Sequence, residues 1–125
     1  MTAEAPALSP AAVYEAGLAL GELRYQQCDG CDRAVFYPRV LCPHCGSGAL
    51  TWRTSSGNGV VYAGTVVRSR NGSNSVALID LEEGFRMMCR MQSESDTAVG
   101  TAVTAVIAVG SSLESLTFTS REELQ

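Results

Sequence analysis

The sequence predicts a mainly β fold: one short N-terminal helix, a pair of cysteine-bearing hairpins, and a small closed β-barrel filling the C-terminal half. Three observations point there. Two Cys-x-x-Cys pairs, Cys28 with Cys31 and Cys42 with Cys45, stand ten residues apart. Apolar residues follow helical spacing near the N-terminus, at Val13, Ala16, Leu20 and Leu23. From Leu50 to Thr119, runs of β-forming residues alternate with turns rich in Gly, Asn and Ser. A chain of 125 residues is near the ~150 expected of one domain, so it has no room for a separate cofactor-binding half.

Residues 1–8 are Ala-rich and read as a loose tail. Ser9 followed by Pro10 marks a helix start, with serine as N-cap and proline in the first turn, where its missing N–H costs nothing. The spacing predicts a helix over 10–20, weakened by Gly17 and Gly21. Leu23 to Gln27 then reads as a strand entering the first cysteine pair and Val35 to Tyr37 as the strand leaving it, with Pro38 ending the hairpin. The expected division is tail and helix over 1–22, a metal-binding ribbon over 23–52, a barrel over 53–120, and a short tail over 121–125.

The cysteines carry the strongest signal. Two short knuckles deliver two sulfurs each to one ion, and Cys28, Cys31, Cys42 and Cys45 together complete a tetrahedral thiolate set. Gly46, after the second pair, suits the positive φ that turns backbone amides toward sulfur; Asp32, in the same place after the first, takes that conformation less easily. A reducing compartment favours metal over two disulfides for this spacing. His44 lies inside the second pair, but four thiolates already fill the shell, so it reads as a solvated loop residue. Such a closed site suits structural zinc, or iron as in an electron carrier, and leaves no position for substrate water. Cys89, in Met87-Met88-Cys89-Arg90-Met91, has no cysteine partner and reads as an inert, buried thiol.

In the C-terminal half the expected strands are Leu50–Thr54, Gly59–Ser69, Ser75–Leu81, Phe85–Met91, Thr101–Val109 and Glu114–Thr119, with turns at 55–59, 70–74 and 82–84. Short strands without long helices between them favour closure over an open sheet with free edges, and an OB-fold is the economical choice. Ala102 to Val109 is apolar on both faces. That pattern predicts cover on both sides by the barrel and its helix, with one face serving as a docking surface as the alternative, rather than one face in water.

Charge narrows the function. The nine basic residues, all arginine, face 13 acids for a net charge of −4, which argues against a general nucleic-acid binder because such binding draws its affinity from excess cationic side chains. Lysine is absent, so Schiff-base chemistry is excluded. The longest charge-free stretch, Thr97 to Leu113, is interrupted by Gly100 and Gly110 and is too short to span a bilayer. Without a basic n-region before Arg24, the chain reads as cytoplasmic.

Taken in order, Gly17-Leu18, Gly21, Leu23, Gln26-Gln27-Cys28, Cys31, Phe36-Tyr37-Pro38-Arg39, Cys42-Pro43-His44-Cys45-Gly46, Leu50, Trp52, Ser56-Gly57 and Gly59-Val60-Val61-Tyr62 resemble the DUF35 family. The likeness continues through Thr65-Val66-Val67, Ala77-Leu78-Ile79-Asp80-Leu81 and Gly84, and so covers most of the chain from Ala11. It implies a rubredoxin-like zinc ribbon followed by an OB-fold. It also implies a non-catalytic partner for acyl-CoA enzymes: thiolases, thiolase-like acyltransferases, aldolases, or MaoC-type hydratases of steroid side-chain breakdown. In such complexes the ribbon and barrel help assemble the enzyme and shape its acyl-CoA site. One departure is in the first helix, where an aromatic pair is usual and Tyr14 is here followed by Glu15.

Arginine suits bidentate phosphate and carboxylate contacts, which makes Arg39, Arg68, Arg70, Arg86 and Arg90 the candidates for CoA or partner contact. Tyr14, Leu18, Phe36 and Tyr37 are candidates for docking a partner, with packing inside the chain as their other use. Two further functions compete with the acyl-CoA subunit: a single-stranded nucleic-acid module, which an OB barrel permits, and an iron-binding electron carrier.

Overall fold

The computed structural model describes residues 9–70, 72–93, 97–108 and 116–121. The expected N-terminal tail and the strand ends at Val109 and Glu114 lie outside them.

Helix α1 runs Pro10–Ala19, and the Ser9 side chain accepts a hydrogen bond from the Ala12 N–H at 3.2 Å. It stops one residue short of Leu20 because Gly21 takes φ +82°. There the Gly21 N–H donates to the Leu18 carbonyl (3.0 Å) and the Glu22 N–H to that of Gly17 (2.8 Å); this paired closure satisfies carbonyls at the helix end. Gly21 therefore terminates the helix rather than weakening it. The buried stripe is Tyr14, Gly17 and Leu18, not the expected Val13, Ala16 and Leu20, and Leu20 is 66% exposed. The predicted stripe counted Leu23, which lies beyond the helix end, and the face holding Tyr14 and Leu18 buries more apolar area. Gly17 has its own use: a Cβ there would come within 2.5 Å of Arg24 Cδ. Its absence lets Arg24 lie against the helix and donate to the Val13 carbonyl (3.1 Å) and the Glu22 carboxylate (3.0 Å).

Three antiparallel strands follow in the order β2-β1-β3: β1 Arg24–Cys28, β2 Ala34–Val35 and β3 Leu50–Thr54. Strand β2 is shorter than expected, ending before Phe36. Beyond it the Gln26 side chain continues the pairing, with its amide donating to the Arg39 carbonyl (2.9 Å) and its oxygen accepting from the Arg39 N–H (2.7 Å). Gln26 is a buried polar residue, and these two bonds satisfy it.

The remaining strands are β4 Asn58–Ser69, β5 Gly72–Leu81, β6 Arg86–Met91, β7 Ala102–Ile107 and β8 Leu116–Ser120. They close a barrel in the order β4-β5-β6-β8-β7, with β4 pairing β7. Pairing is antiparallel except between β6 and β8, where Met91 faces Phe118 in parallel; this is the five-stranded Greek-key arrangement of an OB-fold. The turn expected at 70–74 is tighter, since β4 and β5 stay paired out to Ser69 and Gly72. The Gly-Ser-Asn run looks like loop by composition, but an exposed ladder needs only main-chain groups. In β7, Val103 is fully buried and Thr104 to Ile107 are half-buried, while Ala102 is exposed, so the two faces expected to be covered are covered in part.

Helix, ribbon and barrel share one core: Tyr14, Leu18, Leu23 and Tyr25 pack with Val61, Ile79, Phe85, Val103 and Phe118. Phe85, from the barrel, is stacked against Tyr25 (centroids 4.9 Å apart) and Phe36 (5.0 Å) of the ribbon. A polar clasp adds to the join. Glu83, in the β5–β6 turn, accepts from the Ser55 hydroxyl (2.7 Å) and the Ser56 N–H (2.8 Å) of the connector before β4.

Candidate metal centre and exposed surfaces

The two knuckles are built alike. The Cys28 carbonyl accepts from the Asp32 N–H and the Cys42 carbonyl from the Gly46 N–H, both at 2.8 Å. Each turn closes on a positive φ, +65° at Asp32 and +83° at Gly46. Asp32 is the one non-glycine residue so placed among those described, and its carboxylate is held by the Gln27 amide at 2.7 Å. As expected, amides turn toward sulfur: those of Gly30 and Cys31 point at Cys28 Sγ (3.3 and 3.4 Å) and that of His44 at Cys42 Sγ (3.3 Å).

All four sulfurs lie within 4.8 Å of one another, with Cys28–Cys45 at 3.5 Å and Cys31–Cys42 at 3.7 Å. A tetrahedron with metal–sulfur bonds of ~2.3 Å has edges of about 3.8 Å, and a disulfide would bring its sulfurs to about 2.05 Å. The donor set fits zinc on chemistry as well. The Cys31 N–H, with the neighbouring thiols, draws the Cys28 thiol down to about 7 against its burial. Cys31, despite the Arg33 N–H, is pushed up to about 12 by burial and the surrounding thiols. Four thiolates repel one another in this space, and a divalent ion removes that repulsion. His44 stands outside the set, exposed, with Nδ1 3.4 Å from the Arg33 guanidinium. Behind the sulfurs sits a second small core, Cys28, Val35 and Cys42 with Leu50 against it.

The structure separates the docking candidates. Tyr14 is 3% exposed and Leu18 fully buried; both face the chain's own core, which corrects their expected availability to a partner. Phe36 is half-buried and Tyr37 exposed. The two residues after Arg39 were not singled out in the sequence: Val40 is 72% and Leu41 57% exposed, on the segment whose main chain Gln26 grips at Arg39. Among the arginines, Arg86 and Arg90 project from the outer face of β6 on either side of exposed Met88, Arg68 and Arg70 are exposed at the β4–β5 tip, and Arg39 is on the ribbon. Arg86 is engaged: it reaches Asp80 at 2.5 and 3.2 Å and lies 3.5 Å over the Tyr62 ring. Cys89 is half-buried, its thiol donates to the Leu116 carbonyl at 3.3 Å, and burial pushes its pKa up to about 11. None of the helices among the described residues is long and apolar enough to cross a membrane.

Fold and sulfur cluster together define a rubredoxin-like zinc ribbon joined to an OB barrel, with zinc as its structural metal. Comparison with known proteins agrees. Residues 16–51 match the family model described as "ChsH2, rubredoxin-like zinc ribbon domain", and residues 52–108 the one described as "ChsH2, C-terminal OB-fold domain". The chain belongs to the DUF35 family of ChsH2-type zinc-ribbon and OB-fold proteins. A solved structure titled "Ltp2-ChsH2(DUF35) aldolase" is similar over 93% of this chain and 98% of its own, with TM-score 0.74 and 24% identity. A DUF35 protein of unknown function from Sulfolobus solfataricus is similar over 87% and 83%, with TM-score 0.69 and 17% identity. No curated protein sequence matches the chain.

Proposed function

We propose that this chain is a non-catalytic accessory subunit of an acyl-CoA-processing complex, docked on a thiolase-like, acyltransferase or aldolase enzyme and aiding its assembly and acyl-CoA binding. The observation that carries the reading is the segment Tyr37–Leu41. It presents Tyr37, Val40 and Leu41 to solvent, yet its backbone is fixed by the Gln26 clamp. Exposed apolar side chains grouped on a held backbone are costly in water and favourable in an interface, where apolar anchors that are already ordered lose little entropy on binding. Arg39 in the same segment offers a charge at its rim. Kinship with the aldolase–DUF35 structure supports an enzyme as the partner, and the chemistry within the chain supports a role without catalysis. Four of the five thiols form the metal set, Cys89 is held protonated, and the single histidine faces an arginine.

The reading is tested by purifying the tagged chain from its own host and identifying its partner by mass spectrometry. A condensing or retro-aldol acyl-CoA enzyme in stoichiometric amount is expected, and the double variant Val40→Ser, Leu41→Ser should release it with zinc content and circular dichroism unchanged. Recovery of single-stranded nucleic acid instead, or retention of the enzyme by the double variant, would overturn the reading.

A further inference from the structure

A cleft of about 430 Å³ opens between α1, the Phe36–Tyr37 segment and the barrel, lined by Tyr14, Phe36, Tyr37, Met87, Cys89 and Leu116. Two facts about its lining go beyond shape. Tyr14 is 3% exposed, and no described residue gives its hydroxyl a hydrogen bond. Burial, then the neighbouring Tyr37 and Cys89, raises the pKa of that hydroxyl, so it stays protonated and able to donate. A buried hydroxyl without a partner is costly, which a folded chain tolerates where something else supplies the acceptor. The second fact concerns charge. Arg86 is the one charged residue lining the cleft, and its guanidinium is taken by Asp80 and the Tyr62 ring. The Cys89 thiol is likewise committed to the Leu116 carbonyl.

We infer that this cleft is a binding site for an uncharged, mainly apolar molecule bearing one carbonyl group, its ring or chain lying among Phe36, Tyr37 and Met87 and its oxygen accepting from the Tyr14 hydroxyl. The inference goes beyond the partner-subunit reading and does not rest on it, because it concerns the isolated chain.

The test uses 2-acetonaphthone and, as its hydrocarbon counterpart, 2-ethylnaphthalene, titrated into the zinc-loaded chain by fluorescence. The wild type should bind the ketone about tenfold more tightly, the ratio one hydrogen bond supports, and Tyr14→Phe should bind the two alike with the hydrocarbon affinity unchanged. A melting measurement without ligand separates this from a structural role. Tyr14→Phe, having removed an unpartnered hydroxyl, should melt at or above the wild-type temperature. Equal binding of ketone and hydrocarbon by the wild type, no binding of either, a ketone preference that survives Tyr14→Phe, or a lower melting temperature for that variant would each overturn the inference.

Discussion

Removing the Phe85 ring should destabilise ribbon and barrel as one unit. The residue belongs to the β5–β6 turn region, is buried, and stacks against Tyr25 and Phe36, both from the ribbon. Phe→Ala in a core costs ~3–5 kcal/mol, a figure that already includes ring contacts of ~0.5–1.5 kcal/mol each, of which this side chain makes two. The expected loss is therefore about 4 kcal/mol, a large part of the ~5–15 kcal/mol that a domain possesses, and a melting temperature lower by about 15 °C. Trp52, the single tryptophan, sits on β3 of the ribbon, so its fluorescence follows the ribbon while far-ultraviolet circular dichroism is dominated by the barrel. In the wild type and in the milder Phe85→Leu variant the two signals should fall together. A cycle combining Phe85→Leu with Tyr25→Leu should give a coupling of about 1 kcal/mol. A loss below about 1 kcal/mol for Phe85→Ala, or separate ribbon and barrel transitions in the wild type, would refute the shared core.

Cys42→Ser should reduce bound zinc to below about half an equivalent by elemental analysis, because three thiolates and a hydroxyl hold the ion poorly. The knuckles should loosen, yet barrel circular dichroism should largely persist, since the aromatic core does not include the sulfurs; full zinc retention would contradict the assignment. Glu83 works the other join. Against the effect of its burial, the Ser56 N–H and the Ser55 hydroxyl hold its carboxyl below the usual range. Its contribution is therefore complete above the unfolded carboxylate pKa of about 4.3 and is lost as pH falls through the lower folded value. Glu83→Gln should cost about 1 kcal/mol at pH 7 after allowance for partial exposure. In urea titrations the gap from wild type should hold constant from pH 7 to 5 and narrow only below about pH 4; a gap that stays flat or widens as the pH falls through that range would mean the carboxyl is not held down.

The metal set was fully legible in the sequence because Cys-x-x-Cys spacing is local: each pair needs only its own turn, and even the strained conformation at Asp32 followed from its equivalence to Gly46. The barrel was legible as a pattern of turns and strands, and its strands begin and end within a few residues of where the sequence placed them. Misreadings arose where distant groups decide. The buried face of α1 is chosen by what lies opposite it, so Tyr14 and Leu18 turned inward although the spacing favoured Val13 and Ala16. Strand β2 stops early because a glutamine side chain thirteen residues before Arg39 takes up the pairing, and composition carries no sign of that. The Ser55–Glu83 clasp joins residues 28 apart in sequence, beyond the reach of any local rule.

The grip of Gln26 on Arg39 has a consequence for how such a protein can change. It holds only main-chain atoms, one N–H and one carbonyl, so any residue except proline at position 39 preserves it, while Val40 and Leu41 beside it keep most of their surface in solvent. On the proposal that this segment docks a partner, those three positions form a label that can be rewritten at little cost in stability, on a mount that stays the same. Duplicated genes could thus acquire different addresses through a few surface substitutions, while the zinc knuckles and barrel behind them went unaltered.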